Sequence, residues 1–512
     1  MSAAAPRSAR AGLALAAAGG LLQTASFAPL NAWPLQFIGL ALLVLAINGA
    51  TPRRAALLAW AFAVCWLGSG MWWLFISIHR YGGVAAPLAA AAVALLAAAL
   101  ALYYAAAAAL WARLRAKATQ PARNALLFAA CWLLAELARG LLFTGFPWIA
   151  SGYAHTDGPL AAWAPWLGVY GIGALAAWVA AAAVAAWRQR QQAWRAASAL
   201  VVPVALVALG QALPSDFTRS TGLLSVTLLQ SNVAQDLKFE PAQIERVLRW
   251  HRESLAAARG SLVLTPESSI PLPLALLDPD TLAALRAPFA QGDRAALIGI
   301  FLGNDSQGYT NSVIALSASS DPSRAGYYRY GKRHLLPFGE FIPPGFGWFV
   351  QAMNIPIGDQ ERGQSTAPLV VAGQRVRPLV CYEDLFGEDI AASVVGDGAA
   401  TVLANMTNLA WFGAVMVQDQ HLQFSRMRAL EFQRPIVRAT NTGATAVVDH
   451  RGRIAARLLP GVEAALEASV EGRLGATPYA RWLAAWGLWP LVLLALAAVC
   501  ATGRLRRFAR PD

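Results

Sequence analysis

The chain has 512 residues, of which 57% are hydrophobic and only 13% are charged, and its formal net charge is +13. This composition excludes an ordinary soluble protein, because about a quarter of the residues of a soluble domain are charged. The length also exceeds that of one ordinary domain. Much of the chain is therefore expected to lie in lipid.

Apolar runs long enough to cross a bilayer as helices lie mostly before residue 222, and one more follows residue 472. The first run is expected to be a retained anchor, because several more such runs follow it and no clear signal-peptide cleavage site follows it. We predict a membrane α-helical bundle of about eight transmembrane helices. The runs are residues 11–30, 34–49, 55–78, 84–112, 124–145, 160–187, 197–213 and 482–502.

Arginine and lysine residues cluster in alternate connections between these runs, as at Arg53 with Arg54 and at Arg188 with Arg190. Cytoplasmic loops are enriched in these residues. Both termini are therefore predicted to be cytoplasmic, and residues 222–472 to be extracytoplasmic. The same distribution accounts for the net positive charge. Basic side chains at the cytoplasmic ends of helices fix the orientation of the chain and interact with anionic lipid headgroups. No basic stripe with interleaved aromatic residues is present, so nucleic-acid binding is not predicted.

The segment 222–472 carries nearly all of the acidic residues and differs in pattern from the rest of the chain. Short β-rich runs separated by turn residues predict strands, and two longer segments, 241–258 and 418–432, predict helices. An α/β layered domain follows from this alternation. Residues 1–221 then form a domain of seven helices, and residues 473–512 form a last helix with a basic tail. The predicted strands are residues 223–230, 261–264, 296–302, 312–316, 376–380, 401–404 and 444–448.

Three residues of catalytic type, Glu267, Lys332 and Cys381, follow strand-like runs. Polar residues at the carboxyl ends of neighbouring strands meet at one edge of a sheet, so we expect these three to converge. Each has an ordinary reading on its own: a turn cap, a solvated surface charge and a small buried residue. Together they supply a nucleophile, a base that also acts as acid, and an oxyanion-stabilising cation.

Cys381 is a candidate nucleophile because the other three cysteines lie in long apolar runs and would not pair with it in the polar part of the chain. The residues that follow it are acidic and helix-like. A helix N-terminus at this position is predicted to lower the pKa of the thiol.

Three segments resemble the catalytic segments of the nitrilase, or carbon-nitrogen hydrolase, superfamily: Pro266-Glu267-Ser268, Lys332 with Leu336-Pro-Phe-Gly-Glu340, and Cys381-Tyr382-Glu383. The resemblance implies an αββα sandwich with a Glu267, Lys332 and Cys381 triad. It also implies that Glu340 orients Lys332 and that Tyr382 and Glu383 shape the pocket just after the nucleophile.

Further segments are similar to those of the bacterial apolipoprotein N-acyltransferase family. This resemblance implies a ping-pong reaction through a thioester on Cys381 at the bacterial inner membrane. A phospholipid, typically phosphatidylethanolamine, would give an acyl chain to the amino group of a diacylglyceryl-cysteine in an apolipoprotein. We expect a monomer that needs no metal or other cofactor. The segments are residues 144–148, 157–159, 230–235, 408–413, 426–431 and 438–443.

The finer substrate contacts are predicted less directly. Phe239, Trp411 and Phe412 are candidate substrate-binding residues, and the apolar stretches 338–350 and 411–416 are hypothesised to be arms that admit acyl chains. The alternative function is a membrane-anchored nitrilase-type amidase, in which water takes the acyl group from the nucleophile. A transporter or lipid receptor with an inert thiol is disfavoured by the complete set of three catalytic residues.

Overall fold

The computed structural model describes residues 9–115, 120–238, 240–306, 308–343, 345, 347 and 359–508. The chain divides into two compact units, called here the helical unit and the sandwich unit. The helical unit takes the described residues of Met1–Leu74, Ala86–Ser215 and Trp486–Asp512, and the sandwich unit those of Phe75–Ala85 and Asp216–Ala485. The domain boundaries drawn from the sequence stay predictions.

Several helices begin at a proline, including those that start at Pro34, Pro52, Pro121 and Pro241. Proline favours the first helical turn because its φ angle is already helical and its missing N–H needs no partner there. The α-helices of the described residues are α1 Ala9–Ala25, α2 Pro34–Ile47, α3 Pro52–Gly70, α4 Leu74–Ile76, α5 Ala86–Leu114, α6 Pro121–Leu141, α7 Ala164–Arg188, α8 Ala193–Ala212, α9 Pro241–Ala257, α10 Pro279–Arg286, α11 Gly387–Ala391, α12 Val417–Phe432, α13 Pro478–Trp486 and α14 Trp489–Phe508.

Every apolar run predicted to span the membrane overlaps a helix, and the runs 55–78 and 482–502 each extend over a bend between two helices. By length and composition, 4 of the described helical segments can cross a membrane, or up to 6 if each of two bent pairs forms one span. One bent pair joins α3 to the helical turns of Leu74–Tyr81, and the other joins α13 to α14. A membrane-helical region is therefore confirmed, and the count of eight stays a prediction.

A buried ion pair stabilises the helical unit where α6 ends. Arg139 Nη2 lies 3.6 Å from Glu136 Oε1, and both side chains are fully buried. Glu136 Oε2 accepts hydrogen bonds from the backbone N–H of Ser151 at 2.7 Å and from its hydroxyl at 3.1 Å. Arg139 Nη1 donates to the carbonyls of Phe146 and Trp148. Because charges inside a membrane region need such partners, this pair has a structural role.

The sandwich unit contains two mixed six-stranded sheets, with strand orders β12-β1-β2-β3-β4-β5 and β11-β10-β9-β8-β7-β6. Strands β1 to β3 pair in parallel, as do β7 to β9, so each sheet has a parallel centre. The strands are β1 Thr218–Gln230, β2 Leu262–Leu264, β3 Ala295–Asn304, β4 Gly308–Ser317, β5 Arg329–Gly331, β6 Leu369–Val371, β7 Gln374–Val380, β8 Val402–Thr407, β9 Ile436–Thr440, β10 Ala446–Val448, β11 Ile454–Arg457 and β12 Ala464–Gly475.

The two sheets face each other, with β1 against β9 and β4 against β7, and helices cover their outer faces. Leu255 of α9 and Leu285 of α10 are buried in one cluster with Val263, Ile298 and Ile314 of the first sheet. Helix α12 packs on β9 and β10 of the second sheet. The predicted αββα sandwich is confirmed. All seven strands expected from the sequence are present, and β5, β6, β9, β11 and β12 are additional.

Replacing Ile298 with alanine is expected to destabilise the sandwich unit. Ile298 is 1% exposed in the cluster under α9 and α10, so the change leaves a cavity that costs about 2–5 kcal/mol. Thermal unfolding followed by tryptophan fluorescence in detergent micelles measures the effect. The matched control is Ile454→Ala on β11, where the side chain is 40% exposed. Equal melting temperatures of the two variants would contradict the assignment of this core.

Candidate active site

Glu267 follows β2 and lies in the interior with a partner on each carboxylate oxygen. Oε1 accepts from Asn311 Nδ2 at 2.8 Å and lies 3.4 Å from Lys332 Nζ. Oε2 accepts from the backbone N–H of Asn408 at 2.9 Å. The carboxylate is thus fixed in orientation by one side chain of the first sheet and one backbone group that follows the second sheet.

Lys332 follows β5 and is held by two carboxylates. Its Nζ lies 2.8 Å from the carboxylate of Glu340, which is also fixed by the backbone N–H of Leu336 at 2.8 Å. Burial lowers the pKa of Lys332, but Glu340 and then Glu267 oppose this, so that the pKa is raised above its usual value. Lys332 is therefore an ammonium ion throughout the physiological pH range.

Cys381 begins a 3₁₀ helix, Cys381–Leu385, directly after β7. Its φ angle is +52°, in the left-handed region that a residue with a Cβ atom rarely adopts. The carbonyl of Cys381 accepts a hydrogen bond from Asn405 Nδ2 at 3.1 Å, which supports this strained turn. Strain of this kind is typical of functional sites.

The predicted lowering of the Cys381 pKa is wrong. Burial, with Glu267 adding to it, raises the pKa of the thiol well above its usual value, and Lys332 only partly opposes the shift. The helix that begins at Cys381 is a 3₁₀ helix of only five residues, and the effect of burial on the thiol outweighs any effect of its dipole. In the resting protein Cys381 is therefore a thiol, and it would need a base to act as a nucleophile.

Glu383 joins the turn of Cys381 to the loop of Lys332. Its carboxylate accepts from the backbone N–H groups of Val380 and Arg333, each at 2.7 Å, and from the Tyr330 hydroxyl at 2.6 Å. These contacts fix β7 of one sheet relative to β5 of the other. The sequence-based role of Glu383 in shaping a pocket stays a prediction.

The remaining predicted site residues are less closely connected to the triad. Tyr382 is buried, and its ring packs edge-on against Phe386 with centroids 5.0 Å apart. Trp411 is 39% exposed and packs edge-on against Tyr81 at 5.4 Å. Phe412 is half-buried beside it. Phe239 lies outside the described residues, as does part of the stretch 338–350.

The topology brings together residues from distant strands. Glu267 and Lys332 follow β2 and β5 of one sheet, which are separated by β3 and β4, while Cys381 follows β7 of the other sheet. The charges of Glu267 and Lys332 both act on the Cys381 thiol. The expected convergence at strand ends is therefore found, but the three strands are not neighbours.

Two family models match the chain. The apolipoprotein N-acyltransferase N-terminal domain matches residues 19–182, and carbon-nitrogen hydrolase matches residues 207–479. The chain is 47% identical over 500 residues to an apolipoprotein N-acyltransferase of Verminephrobacter eiseniae, covering 92% of each chain. It is 46% identical over 496 residues to one of Ralstonia nicotianae, covering 96% of this chain and 93% of the relative. The chain belongs to the apolipoprotein N-acyltransferase family.

This membership confirms the resemblance seen in the sequence, including the carbon-nitrogen hydrolase fold and an acyltransferase activity. An apolipoprotein N-acyltransferase of Bordetella bronchiseptica is also 41% identical over 543 residues, covering 97% of this chain and 98% of the relative. Together with the apolar helices, the family makes the chain a multi-pass membrane protein. The amidase alternative is less supported.

Sequence reasoning missed Asn311, which connects the two carboxylates of the candidate active site. Its Nδ2 donates to Glu267 at 2.8 Å and to Glu340 at 2.9 Å. Its backbone carbonyl accepts from the Lys332 N–H at 2.8 Å. An asparagine near the start of a strand has no local feature that would reveal this role.

Sequence reasoning gave no role to a chain of amides behind Asn408. Asn408 Nδ2 donates to Gln235 Oε1 at 2.7 Å, and Asn408 Oδ1 accepts from Asn441 Nδ2 at 3.1 Å. The Ser231 hydroxyl donates to Asn441 Oδ1 at 3.0 Å. These contacts hold the backbone N–H that binds Glu267. The family resemblance points to the segments that contain these residues, but it does not predict the hydrogen bonds between them.

Lys238 is a second buried lysine whose charge interacts with Glu267. Burial lowers its pKa to about 8, and Glu267 partly opposes the shift. The sequence places Lys238 in a polar turn without any indication of burial.

Opposite changes in thiol reactivity are expected when the two charges around Cys381 are removed singly. Glu267→Gln removes a carboxylate that raises the thiol pKa, so alkylation by iodoacetamide should become faster at a fixed pH. Lys332→Met removes the ammonium that lowers the pKa, so alkylation should become slower. At a pH well below the pKa of the thiol, a shift of one unit in that pKa changes the thiolate fraction, and so the alkylation rate, about tenfold. Peptide mass spectrometry of Cys381 over pH 7–9 measures it.

Labelling of the other cysteines in the same digest serves as the internal control. Cys500 is exposed and lies in the helical unit, so its alkylation should be equal in the two variants. A shift of Cys381 reactivity in the same direction for both variants would contradict the assigned electrostatics.

Proposed function

We propose that this chain transfers a fatty acyl group from a phospholipid to the N-terminal amine of a diacylated apolipoprotein. The observation that carries the proposal is the buried contact of Glu267 with Lys332 at 3.4 Å beside the Cys381 thiol, in a chain of this family. We assign Cys381 as nucleophile, Glu267 as general base and acid, and Lys332 as oxyanion support. A protonated nucleophile, a fixed carboxylate and a permanent ammonium are what such a reaction needs.

In the first half-reaction, Glu267 takes the proton of Cys381 as the sulfur attacks the ester carbonyl of the phospholipid. The carbonyl oxygen becomes an oxyanion, which the ammonium of Lys332 stabilises. When the tetrahedral intermediate collapses, the ester C–O bond breaks and Glu267 returns the proton to the leaving oxygen. The products are a lysophospholipid and a thioester on Cys381.

In the second half-reaction, the free amine of the apolipoprotein cysteine attacks the thioester carbonyl. Glu267 takes a proton from the attacking nitrogen and passes it to the departing sulfur, so the thiol is restored. An amide bond replaces the thioester bond, and no cofactor is consumed. The sulfur is protonated at the end of the cycle, as it was at the start, so the enzyme returns to its resting state.

Glu340 is proposed to position Lys332 rather than to transfer protons. Its Oε1 accepts from Lys332 and Asn311, and its Oε2 accepts from Leu336 N–H. Of the two carboxylates, Glu267 acts more strongly on the Cys381 thiol than Glu340 does, so Glu267 is the better placed of the two to be the base. Phe239, Trp411 and Phe412 are proposed to contact acyl chains, because they are aromatic, and Trp411 has an exposed face.

The proposed location is the bacterial inner membrane, with both termini in the cytoplasm and the sandwich unit in the periplasm. This orientation rests on the alternating basic connections and on the need of both lipid substrates for a bilayer. The donor is proposed to be phosphatidylethanolamine, and the protein is proposed to act as a monomer. Hydrolysis of the same thioester by water would instead make the chain an amidase-like enzyme.

A fatty-acyl adduct is expected on Cys381 after incubation with phosphatidylethanolamine. Intact-protein and peptide mass spectrometry should show one acyl group at this residue, absent from Cys381→Ala. A synthetic diacylated lipopeptide should discharge it and gain the acyl group. Discharge by water at the same rate, without acylation of the lipopeptide, would favour the amidase. No adduct on the folded protein would refute the acyl-enzyme mechanism.

The orientation predicts opposite labelling of two introduced cysteines. Asp305→Cys lies in the exposed β3–β4 turn of the sandwich unit, and Arg190→Cys lies in the basic connection after α7. In spheroplasts, a membrane-impermeant maleimide should label position 305 before lysis and position 190 only after lysis. A Cys500→Ala background removes the exposed native thiol. The reversed labelling pattern would contradict the assigned orientation in the membrane.

A further inference from the structure

A short segment between α3 and α5 belongs to the sandwich unit, although the chain on either side of it belongs to the helical unit. It comprises Phe75–Ala85 and is called here the bent segment. The helices Pro52–Gly70 and Leu74–Tyr81 meet at an angle of 61°. A π-helix, Ser77–Tyr81, ends the second of them, and π-helical turns are rare but frequent at functional sites. The proposed chemistry gives this segment no role.

Tyr81 of the bent segment contacts the loop that follows β8, residues 408–413, called here the Asn408 loop. The Tyr81 ring packs edge-on against Trp411, with centroids 5.4 Å apart. Its hydroxyl donates to the carbonyl of Ala410 at 3.3 Å. An edge-on pair of aromatic rings stabilises a contact beyond the apolar area that it buries. The ring contact is therefore the main hold on this loop, and the long hydrogen bond adds to it.

Two further contacts fix the bent segment on the sandwich unit. Ile76 lies so close to Gly413 that a Cβ atom on this glycine would come within 3.2 Å of Ile76 Cδ1. Arg80 Nη2 lies 3.1 Å from Asp236 Oδ2, and both of these side chains are exposed. An exposed ion pair contributes little to stability on its own. The packing of Tyr81 and Ile76 on the Asn408 loop is therefore the stronger part of this arrangement.

Both regions that the bent segment contacts lead to Asn408 within one hydrogen bond. Asn408 Oδ1 accepts from the backbone N–H of Ala410 at 3.3 Å. Asn408 Nδ2 donates at 2.7 Å to Oε1 of Gln235, which directly precedes Asp236. The backbone N–H of Asn408 in turn donates to Glu267 Oε2 at 2.9 Å. The position of this loop therefore decides where one oxygen of the Glu267 carboxylate is held.

We propose that Tyr81 is a positioning residue for the carboxylate of Glu267. Its ring, packed against Trp411, holds the loop whose Asn408 N–H fixes that carboxylate. Tyr81 acts through the loop and not on the reacting atoms. A base must be placed precisely, since a misplacement of about 1 Å can cost about a hundredfold in rate. The role of Glu267 as base rests on the proposed function.

Two substitutions of Tyr81 test this role. Tyr81→Ala removes the ring and the hydroxyl, whereas Tyr81→Phe keeps the ring contact. The matched control is Tyr327→Ala, which removes another half-buried tyrosine ring of the sandwich unit, one that packs against the cluster under α9 and α10. The full-length proteins are compared in micelles for the rate of Cys381 acylation by phosphatidylethanolamine, with kcat and KM determined separately. Thermal midpoints show whether each variant is folded.

The kcat of acylation should fall about tenfold or more in Tyr81→Ala with KM unchanged, because a misplaced base slows the reaction without weakening substrate binding. Tyr81→Phe should retain most of the wild-type rate, and Tyr327→Ala all of it. A raised KM with unchanged kcat in Tyr81→Ala would overturn the proposal, since Tyr81 would then act through Trp411 on the substrate. Equal losses in folded Tyr81→Phe and Tyr81→Ala would overturn the ring contact as the hold on the loop.

Iodoacetamide labelling of Cys381 provides a measurement that is independent of acyl transfer, because the charge of Glu267 acts on the pKa of this thiol. Tyr81→Ala should change the labelling rate about twofold or more in otherwise wild-type protein and leave it unchanged in a Glu267→Gln background. An equal change in both backgrounds would contradict an effect through Glu267, and so would no change in either.

The two measurements also separate this inference from the proposed function. If wild-type protein forms no acyl adduct but the labelling change still depends on Glu267, the proposed function fails and the positioning role of Tyr81 stands. If Tyr81→Ala does not fold, Tyr81→Leu, which keeps an apolar side chain without the ring, takes its place in both measurements with the same expected results.

Discussion

The ammonium of Lys332 between the carboxylates of Glu267 and Glu340 is the interaction on which the site depends. Two like charges share a buried space with one cation, and the amide of Asn311 connects both carboxylates. Burial alone would neutralise a lysine, yet the two carboxylates more than compensate for it. Without this ammonium ion, two buried carboxylates would repel each other, and the thiol would lose the charge that most opposes the rise of its pKa.

The sandwich provides this arrangement because its two sheets contribute different residues of the site. The first sheet supplies Glu267 and Lys332, and the second supplies Cys381. Contacts that cross between them fix the relative positions, most directly through the carboxylate of Glu383. The turn of Cys381 is thus held by backbone hydrogen bonds, from the Val380 N–H to Glu383 and from Asn405 to the Cys381 carbonyl. In the proposed reaction the sulfur then forms the bond to the acyl group.

The electrostatics favour a thiol that is activated only in the presence of substrate. A buried sulfur next to Glu267 has a raised pKa, so a free thiolate is rare in the resting protein. In the proposed reaction, Glu267 therefore takes the proton as the sulfur attacks the acyl carbonyl. A protonated and buried thiol is also less easily oxidised than a thiolate.

The sequence by itself determined the membrane character, the α/β alternation and the three segments that form the candidate site, because apolar length, strand period and residue type are local properties. It also located α9 and α12 within one residue at each end. It failed on the thiol pKa, on Asn311 and on the burial of Lys238, since these depend on groups that are distant in the chain. Strand order, burial and the left-handed turn at Cys381 were decided only by the tertiary structure, because desolvation and charge pairing arise when separate strands pack together.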